Sequence, residues 1–581
     1  MAKSLRSLAG NSKHVYDYVI VGGGSAGCLM ANRLSSDPSV RVALLETGPD
    51  DNTPIVQQAV GYFWAVPYSR KYNHRFYSKP EKHCNNRVLL QPRGRVLGGS
   101  SSINAMLYIR GSKHDYDDRW VKEAGCKGWD YETMLNAFKL HENNDTLHDE
   151  YHGTSGPLQV RTMECKYPID SAMIQGSIDL GLKENHDFNG AEQDGVGRYQ
   201  STQRSGNRCS AARAFLPPEV RNRPNLDVIV DAHVTRVTTE GKKATGVQAV
   251  VSRSKNADNA VTFESANDVI LCGGAFNSPQ LLLLSGIGPK EEVTKHGIEL
   301  VHELPGVGQN MQDHPDVGVN AKSKHNVSHP LQIGASGLSL QANHAKMMGE
   351  GKGCYSGEFG IAGAFFKTME GSKAADVQQH LCPFYYKNHG AIMTYGSGLT
   401  IKNCVLRGQS RGSVTLDSSD PMAPPALEMG FFKDDYDMEV MITGIRASLN
   451  LLKTQGCVDQ GLTLCGFKDP NNIGDDEIRE YIRNNVDTVY HPVSTCAMGP
   501  DSNPMSVVGY NNGLKVHGME GLRVIDASTM PLIISGNTNA PTMALAQVAY
   551  DQMVACKDVK NTDSSIVSCQ VKADERLTVS A

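Results

Sequence analysis

The 581 residues hold 14 cysteines, yet no two stand in a C-x-x-C pair, and the nearest neighbours are Cys457 and Cys465. That spacing argues against a zinc knuckle or a redox dithiol. A chain of this length needs no disulfide staples, so the cysteines read as small buried thiols in a reducing compartment. Long apolar runs are also missing. The richest, Leu281 to Leu284, falls far short of the roughly 18 residues of a membrane span. Net charge is only −5, with no run of Lys and Arg, which excludes a nucleic-acid partner. There is no internal repeat and no low-complexity linker. The opening MAKSLRSLAGNSKH carries Lys3, Arg6 and Lys13 and no acid before Asp17, but no apolar stretch for a secretory signal. A cytoplasmic location is expected. An organelle-targeting arm and peripheral membrane association stay open, as does the oligomeric state.

What is present is an ordinary globular composition, 40% hydrophobic and 20% charged, in a chain long enough for more than one domain. Three segments carry α/β patterns. In the first, the buried-strand run Tyr18-Val19-Ile20-Val21 leads into a glycine-rich turn, a helical stretch from Ser25 to Leu34 and a second strand from Val40 to Leu45, a βαβ unit. The second has strand-like Leu226 to Val230, Val247 to Val251 and Val269 to Leu271. The third has Leu522 to Ile525 and a final helix from about Pro541. This interleaving predicts one nucleotide-binding domain assembled from separate segments, with a second domain inserted between them.

Gly22, Gly24 and Gly27 fall in the G-x-G-x-x-G register. Gly22 allows the tight turn, Gly24 lets backbone approach a pyrophosphate, and Gly27 lets the helix pack on the strand. The diphosphate then sits at the helix N-terminus, beside Ser25. Glu46 ends the next strand, placed to accept hydrogen bonds from ribose hydroxyls. The fingerprint alone does not separate FAD from NAD.

Residues 94–111, GRVLGGSSSINAMLYIRG, and 274–288, GAFNSPQLLLLSGIG, resemble the two diagnostic motifs of the glucose–methanol–choline oxidoreductases. His491-Pro492 and GNTNAPT at 536–542 resemble that family's catalytic end, and within the family the chain looks most like the choline and aliphatic alcohol dehydrogenases. The resemblance implies FAD as cofactor. It also implies an α/β fold: a Rossmann-like FAD-binding domain from residues 15–160, 200–320 and 485–556, and an α+β substrate domain with an antiparallel sheet from 161–199 and 321–484. Residues 1–14 and 557–581 are expected as flexible tails. Arg95, Gly99, Ser100, Asn104, Ala105 and Met106 of the first motif, and Thr538 and Asn539 of the last, are implied cofactor contacts. Val234 is the implied partner of adenine. Asp526 and Ala527 are implied near the ribityl-diphosphate, with a helix cap as the other reading of Asp526. Ser100 to Ser102 equally suit a helix N-cap. Some family members attach FAD through a histidine at the position held here by Ile103, so non-covalent FAD is expected.

Alcohol oxidation needs a base for the hydroxyl proton and an acceptor for the hydride, here flavin N5. Histidine has the suitable pKa. Of 19 histidines, His491 stands out because Pro492 biases it to extended backbone and because it occupies the family's catalytic position. Asn537 is no base, and its expected role is to hydrogen-bond the substrate oxygen. The expected reaction is oxidation of a primary alcohol, aliphatic or choline-like, to the aldehyde, with oxygen or another electron acceptor. A cation site for choline would draw on Glu358, Phe359, Phe365 and Tyr385. The alternative is a fatty-acid photodecarboxylase. That branch uses a cysteine and an arginine where hand alignment finds Gly360 and His380, which argues against it.

Overall fold

A computed structural model describes residues 2–8, 14–58, 61–165, 167–252, 260–328, 361–393 and 396–562. The strand His14–Val21 occupies the middle of an eight-stranded sheet. Val19 and Ile20 are fully buried, and a strand covered on both faces must be apolar on both. It pairs in parallel with Val42–Leu45 on one side and Val261–Leu271 on the other. Leu226–Val230 extends the sheet past Val42–Leu45. The strand Val261–Leu271 serves two neighbours along its other edge. Its first half is antiparallel to Lys243–Val251, its second half parallel to Leu522–Val524, and the register shifts between Ser265 and Asp268. Ala232–Glu240 closes that end. The carboxyl ends of the parallel strands open onto one crevice, the usual ligand position in such sheets.

Residues 3–8 depart from the expected flexible tail. Lys3–Ser4 adds a parallel strand beside Leu226–Val230, Leu5 is fully buried and Lys3 pairs with Asp227. An open strand edge offers ladder partners, and the adjacent core takes Leu5. The final helix also runs further than expected, Asn539–Thr562, and packs on both Ser25–Leu34 and Tyr131–His141.

The second large sheet is antiparallel, in the order Leu462–Cys465, Pro315–Ser323, Ser397–Val405, Val377–Cys382, Ala362–Phe366, Gly195–Arg198. The boundary expected at residue 320 therefore falls inside a strand that belongs wholly to this sheet. Strand alternation divides its faces. Gln379 and Asn403 turn to the helix Asp435–Leu451, where both bond Ser448. Gln378, His380 and Lys402 point the opposite way, toward the crevice of the first sheet. No helix among the described residues is long and apolar enough to cross a membrane.

Candidate active site

One cavity runs from the fingerprint turn of the first sheet to the inner face of the second. At its first end the glycines divide their work as the sequence predicts. Gly22 has φ +103°, and a Cβ there would overlap the carbonyl of Cys272. A Cβ on Gly27 would overlap the Gly22 carbonyl oxygen. One on Gly24 would meet no protein atom closer than 3.9 Å and would stand in the cavity instead. The helix Ser25–Leu34 begins there with Gly24 as its N-cap and no side-chain cap, so its first N–H groups are left for an anion. Glu46 lines the cavity, accepting from Gly23 N at 2.9 Å and Gly48 N at 2.7 Å. Burial pushes its carboxyl up to about 7 against these bonds. The 94–106 segment lies over the turn: Gly98 N donates to Gly23 O at 2.7 Å, and a Cβ on Gly99 would come within 2.7 Å of Gly24 Cα.

Ser25, Gly99, Ser100, Asn104, Ala105, Met106, Val234, Asp526, Ala527, Thr538 and Asn539 all line this cavity, with Gly22, Gly24 and Glu46. Ser25 Oγ donates to Asn539 Oδ1 at 2.7 Å, which ties the fingerprint helix to the last one. Asp526 is both lining residue and cap: its carboxylate accepts from Ser528 N, Gly274 N and Ser278 Oγ. The serines of the first motif make local bonds, Ser101 Oγ to Gly98 O and Ser102 Oγ to Leu97 O. Arg95 departs from expectation. Its guanidinium turns away from the cavity to the carbonyls of Thr47 and Lys71 and the hydroxyl of Ser252.

At the other end His491 and Asn537 meet. Asn537 Nδ2 donates to His491 Nε2 at 3.2 Å. His491 Nδ1 faces His314 Nδ1 at 3.0 Å, and His314 Nε2 lies 3.1 Å from Leu406 O. A carbonyl can only accept, so His314 carries its hydrogen on Nε2. Burial, ahead of all other effects, pushes His314 down to about 3, so the ring is neutral and its Nδ1 is an acceptor. His491 must then hold its hydrogen on Nδ1, which leaves the Nε2 lone pair facing the cavity. A second chain fixes the amide. Tyr199 OH donates to Gln379 O at 2.7 Å and accepts from Gln378 Nε2 at 3.1 Å; the same Gln378 Nε2 donates to Asn537 Oδ1 at 3.3 Å. Both orientations are therefore set by backbone carbonyls. Replacing His314 by phenylalanine is expected to lower kcat about 10- to 100-fold with KM little changed, less than loss of the base itself. Steady-state kinetics that show kcat unaltered would dismiss the relay.

His491 and Asn537 sit on separate irregular segments, each tied down by a buried carboxylate. Asp313 Oδ1 accepts from His491 N at 2.9 Å and His314 N at 2.8 Å, and its other oxygen from Thr488 Oγ1. Burial raises Asp313 to about 6 despite these donors. Asp115 accepts from Ser535 N at 2.9 Å and Ser112 N at 2.8 Å, and pairs with Arg407 at 2.9 Å. Burial alone would raise Asp115, but Arg407 and Arg119 hold it below the ordinary carboxylate range.

Sequence reasoning missed His314, Asp313, Gln378 and Lys402. His314 carried the signal used for His491, a histidine followed by proline, but His329-Pro330 carries it too. Of the aromatics expected around a cation, Phe365 is buried against Phe188 and Tyr199 instead. Tyr385 turns to Lys322, and Glu358 and Phe359, like Gly360, lie outside the described residues. His380, Cys382, Phe384 and Tyr386 line the cavity, and Tyr385 does not. Both nitrogens of His380 are buried without a partner among the described residues. Ile103 lines the cavity beside Asn104.

Comparison with known proteins places this site in context. Family models named GMC oxidoreductase match residues 16–316 and 408–546. An alcohol dehydrogenase (acceptor) of Pseudomonas putida is 40% identical over 559 residues, covering 95% of this chain and 98% of that protein. The mitochondrial choline dehydrogenase of Homo sapiens is 35% identical, covering 95% and 91%. Among solved structures, a variant of Aspergillus oryzae RIB40 formate oxidase superposes with TM-score 0.86 at 25% identity, over 94% of this chain and 99% of that one. The photodecarboxylase alternative finds no support among these matches.

Proposed function

The chain belongs to the GMC oxidoreductase family, and from that membership we propose that it oxidises an apolar primary alcohol to the aldehyde, with His491 as base and Asn537 as partner of the substrate oxygen. Its cofactor is FAD, and the glycine cradle, the open helix N-terminus and Glu46 are the groups that would hold it. FAD, when bound, supplies the acceptor for the hydride. Everything else falls to the protein. A hydroxyl displacing the contact between Asn537 Nδ2 and His491 Nε2 would accept from the amide and donate to the imidazole. As its proton passes to Nε2, the amide N–H of Asn537 is in place to hold the growing negative charge. The His491 cation that results shares its Nδ1 hydrogen with His314. Tyr62, Phe384 and Tyr386 line the approach and favour an apolar body on the substrate.

The observation that carries this reading is the pair of hydrogen-bond chains that leaves the His491 Nε2 lone pair exposed to the cavity. Ile103 offers no nucleophile for attachment, so we infer non-covalent FAD. Acid precipitation should release the yellow chromophore into the supernatant, and colour held in the pellet would count against it. The reaction is tested by mixing anaerobic yellow protein with linear primary alcohols. The flavin absorbance should bleach and the aldehyde appear in equal amount. Persistent colour with every alcohol would end the proposal.

A further inference from the structure

Beyond the base, the cavity wall carries a charge arrangement that bears on which alcohols enter. Lys402 lines the cavity and its ammonium is paired with Asp316, which is 1% exposed and not among the lining residues. The two stand on adjacent strands, on the face turned to the cavity: Lys402 is in register with Gly318, two residues along from Asp316. The same ammonium lies 5.5 Å from the ring centre of Tyr386, which also lines the cavity. A buried carboxylate beside an aromatic face is the pair of elements that binds a quaternary ammonium. Here both elements are already engaged by a lysine of the protein itself.

We propose that Lys402 determines specificity by filling this cation subsite from within, so that the enzyme takes uncharged alcohols and excludes those bearing a quaternary ammonium. The inference rests on the alcohol-oxidation reading above. Lys402 does not yield its place readily, since its departure leaves the Asp316 carboxylate buried and uncompensated. Arg93 also lines the cavity; its guanidinium donates to the carbonyls of Pro92 and Tyr490, and the buried carboxylate of Asp313 is its counter-charge, so it adds a second cation to the wall without opening a carboxylate to a ligand. An incoming cation therefore meets like charge where it would need a carboxylate.

The discriminating pair of substrates is choline and its uncharged isostere 3,3-dimethylbutan-1-ol, in which carbon replaces nitrogen. The flavin-loaded wild type should favour the isostere in kcat/KM by about 100-fold or more. In Lys402→Met the ratio should move toward choline by at least about tenfold, and Lys402→Met/Asp316→Asn should cancel that gain. Calorimetric titration with tetramethylammonium chloride gives a readout free of turnover: no binding to the wild type, binding to Lys402→Met. Choline used by the wild type as well as its isostere overturns the proposal, and so does an unchanged ratio in Lys402→Met. Should Lys402→Met not fold, the wild-type ratio and titration decide alone. If yellow wild-type protein turns over neither alcohol, it is the alcohol-oxidation reading that falls, and the titration still judges the subsite.

Discussion

Alanine at position 491 is expected to lower kcat/KM for a primary alcohol by about 100- to 10,000-fold while FAD stays bound, because a positioned base contributes about that much to proton transfer. The pH profile sharpens the test. In the wild type the acid limb of kcat/KM reports protonation of His491. Burial disfavours its cation first, the neighbouring imidazoles of His314 and His380 compete with it for a proton, and the cations of Arg93 and Lys402 disfavour it further, so its pKa lies well below the ordinary histidine value. A group whose protonated form is penalised stays neutral to lower pH, so the limb should fall below about pH 6.5. Removing the imidazole should abolish the limb, leaving a residual rate that climbs with pH as hydroxide takes the substrate proton. Added imidazole should restore part of the rate. A His491→Ala protein that keeps activity within threefold of wild type would place the base elsewhere.

The assignment is sensitive to small displacements because His491 and Asn537 come from segments 46 residues apart. Neither lies in a helix or a strand. Their separation depends on Asp313, which holds the backbone of both histidines, and on Asp115, which joins the Ser112 and Ser535 turns. Each carboxylate is buried and spends its oxygens on several donors. Such a group fixes geometry at the cost of its own desolvation, and it repays that cost only while every donor is present.

Much of this architecture was legible in the residues, and what was not has physical causes. Periodicity placed the helix Ser25–Leu34 and the parallel strands because each is determined locally, by apolar runs between glycine turns. The glycine roles followed from sterics alone. Lys3–Ser4 was missed because a two-residue strand has no periodicity, and only its neighbour Leu226–Val230 makes it one. The domain boundary near 320 was displaced because His314-Pro315 leads directly into a strand whose partners, Ser397–Val405 and Leu462–Cys465, lie far along the chain. Arg95 was assigned to the cofactor by position in a motif, and motif position does not say where a long side chain turns. His491 and Asn537 are picked out through resemblance, whereas the contacts that His314, Gln378 and Lys402 make are ones that sequence spacing cannot express.

Valine at Gly27 is the substitution expected to do most damage. Its Cβ would overlap the carbonyl oxygen of Gly22 and come within 3.3 Å of Cys272 Cβ. Relief would require the helix Ser25–Leu34 to withdraw from the sheet, but that helix is packed on Asn539–Thr562 behind it and bonded to it through Ser25 and Asn539. Gly22 cannot turn its carbonyl aside either, since its own φ of +103° is set against Cys272. The cost should exceed about 4 kcal/mol, the range reached when backbone is displaced in a core. Soluble yellow protein should be lost, and any recovered material should melt far below wild type by circular dichroism. Gly24→Ala supplies the contrast. Its Cβ meets no protein atom nearer than 3.9 Å and points into the cavity, so that variant should keep its circular dichroism spectrum and bind FAD at least about tenfold more weakly. If Gly27→Val folds normally and Gly24→Ala retains full FAD affinity, the division of labour within the fingerprint is wrong. The cradle would then owe its cofactor specificity to the 94–106 segment and the Asp526 turn instead.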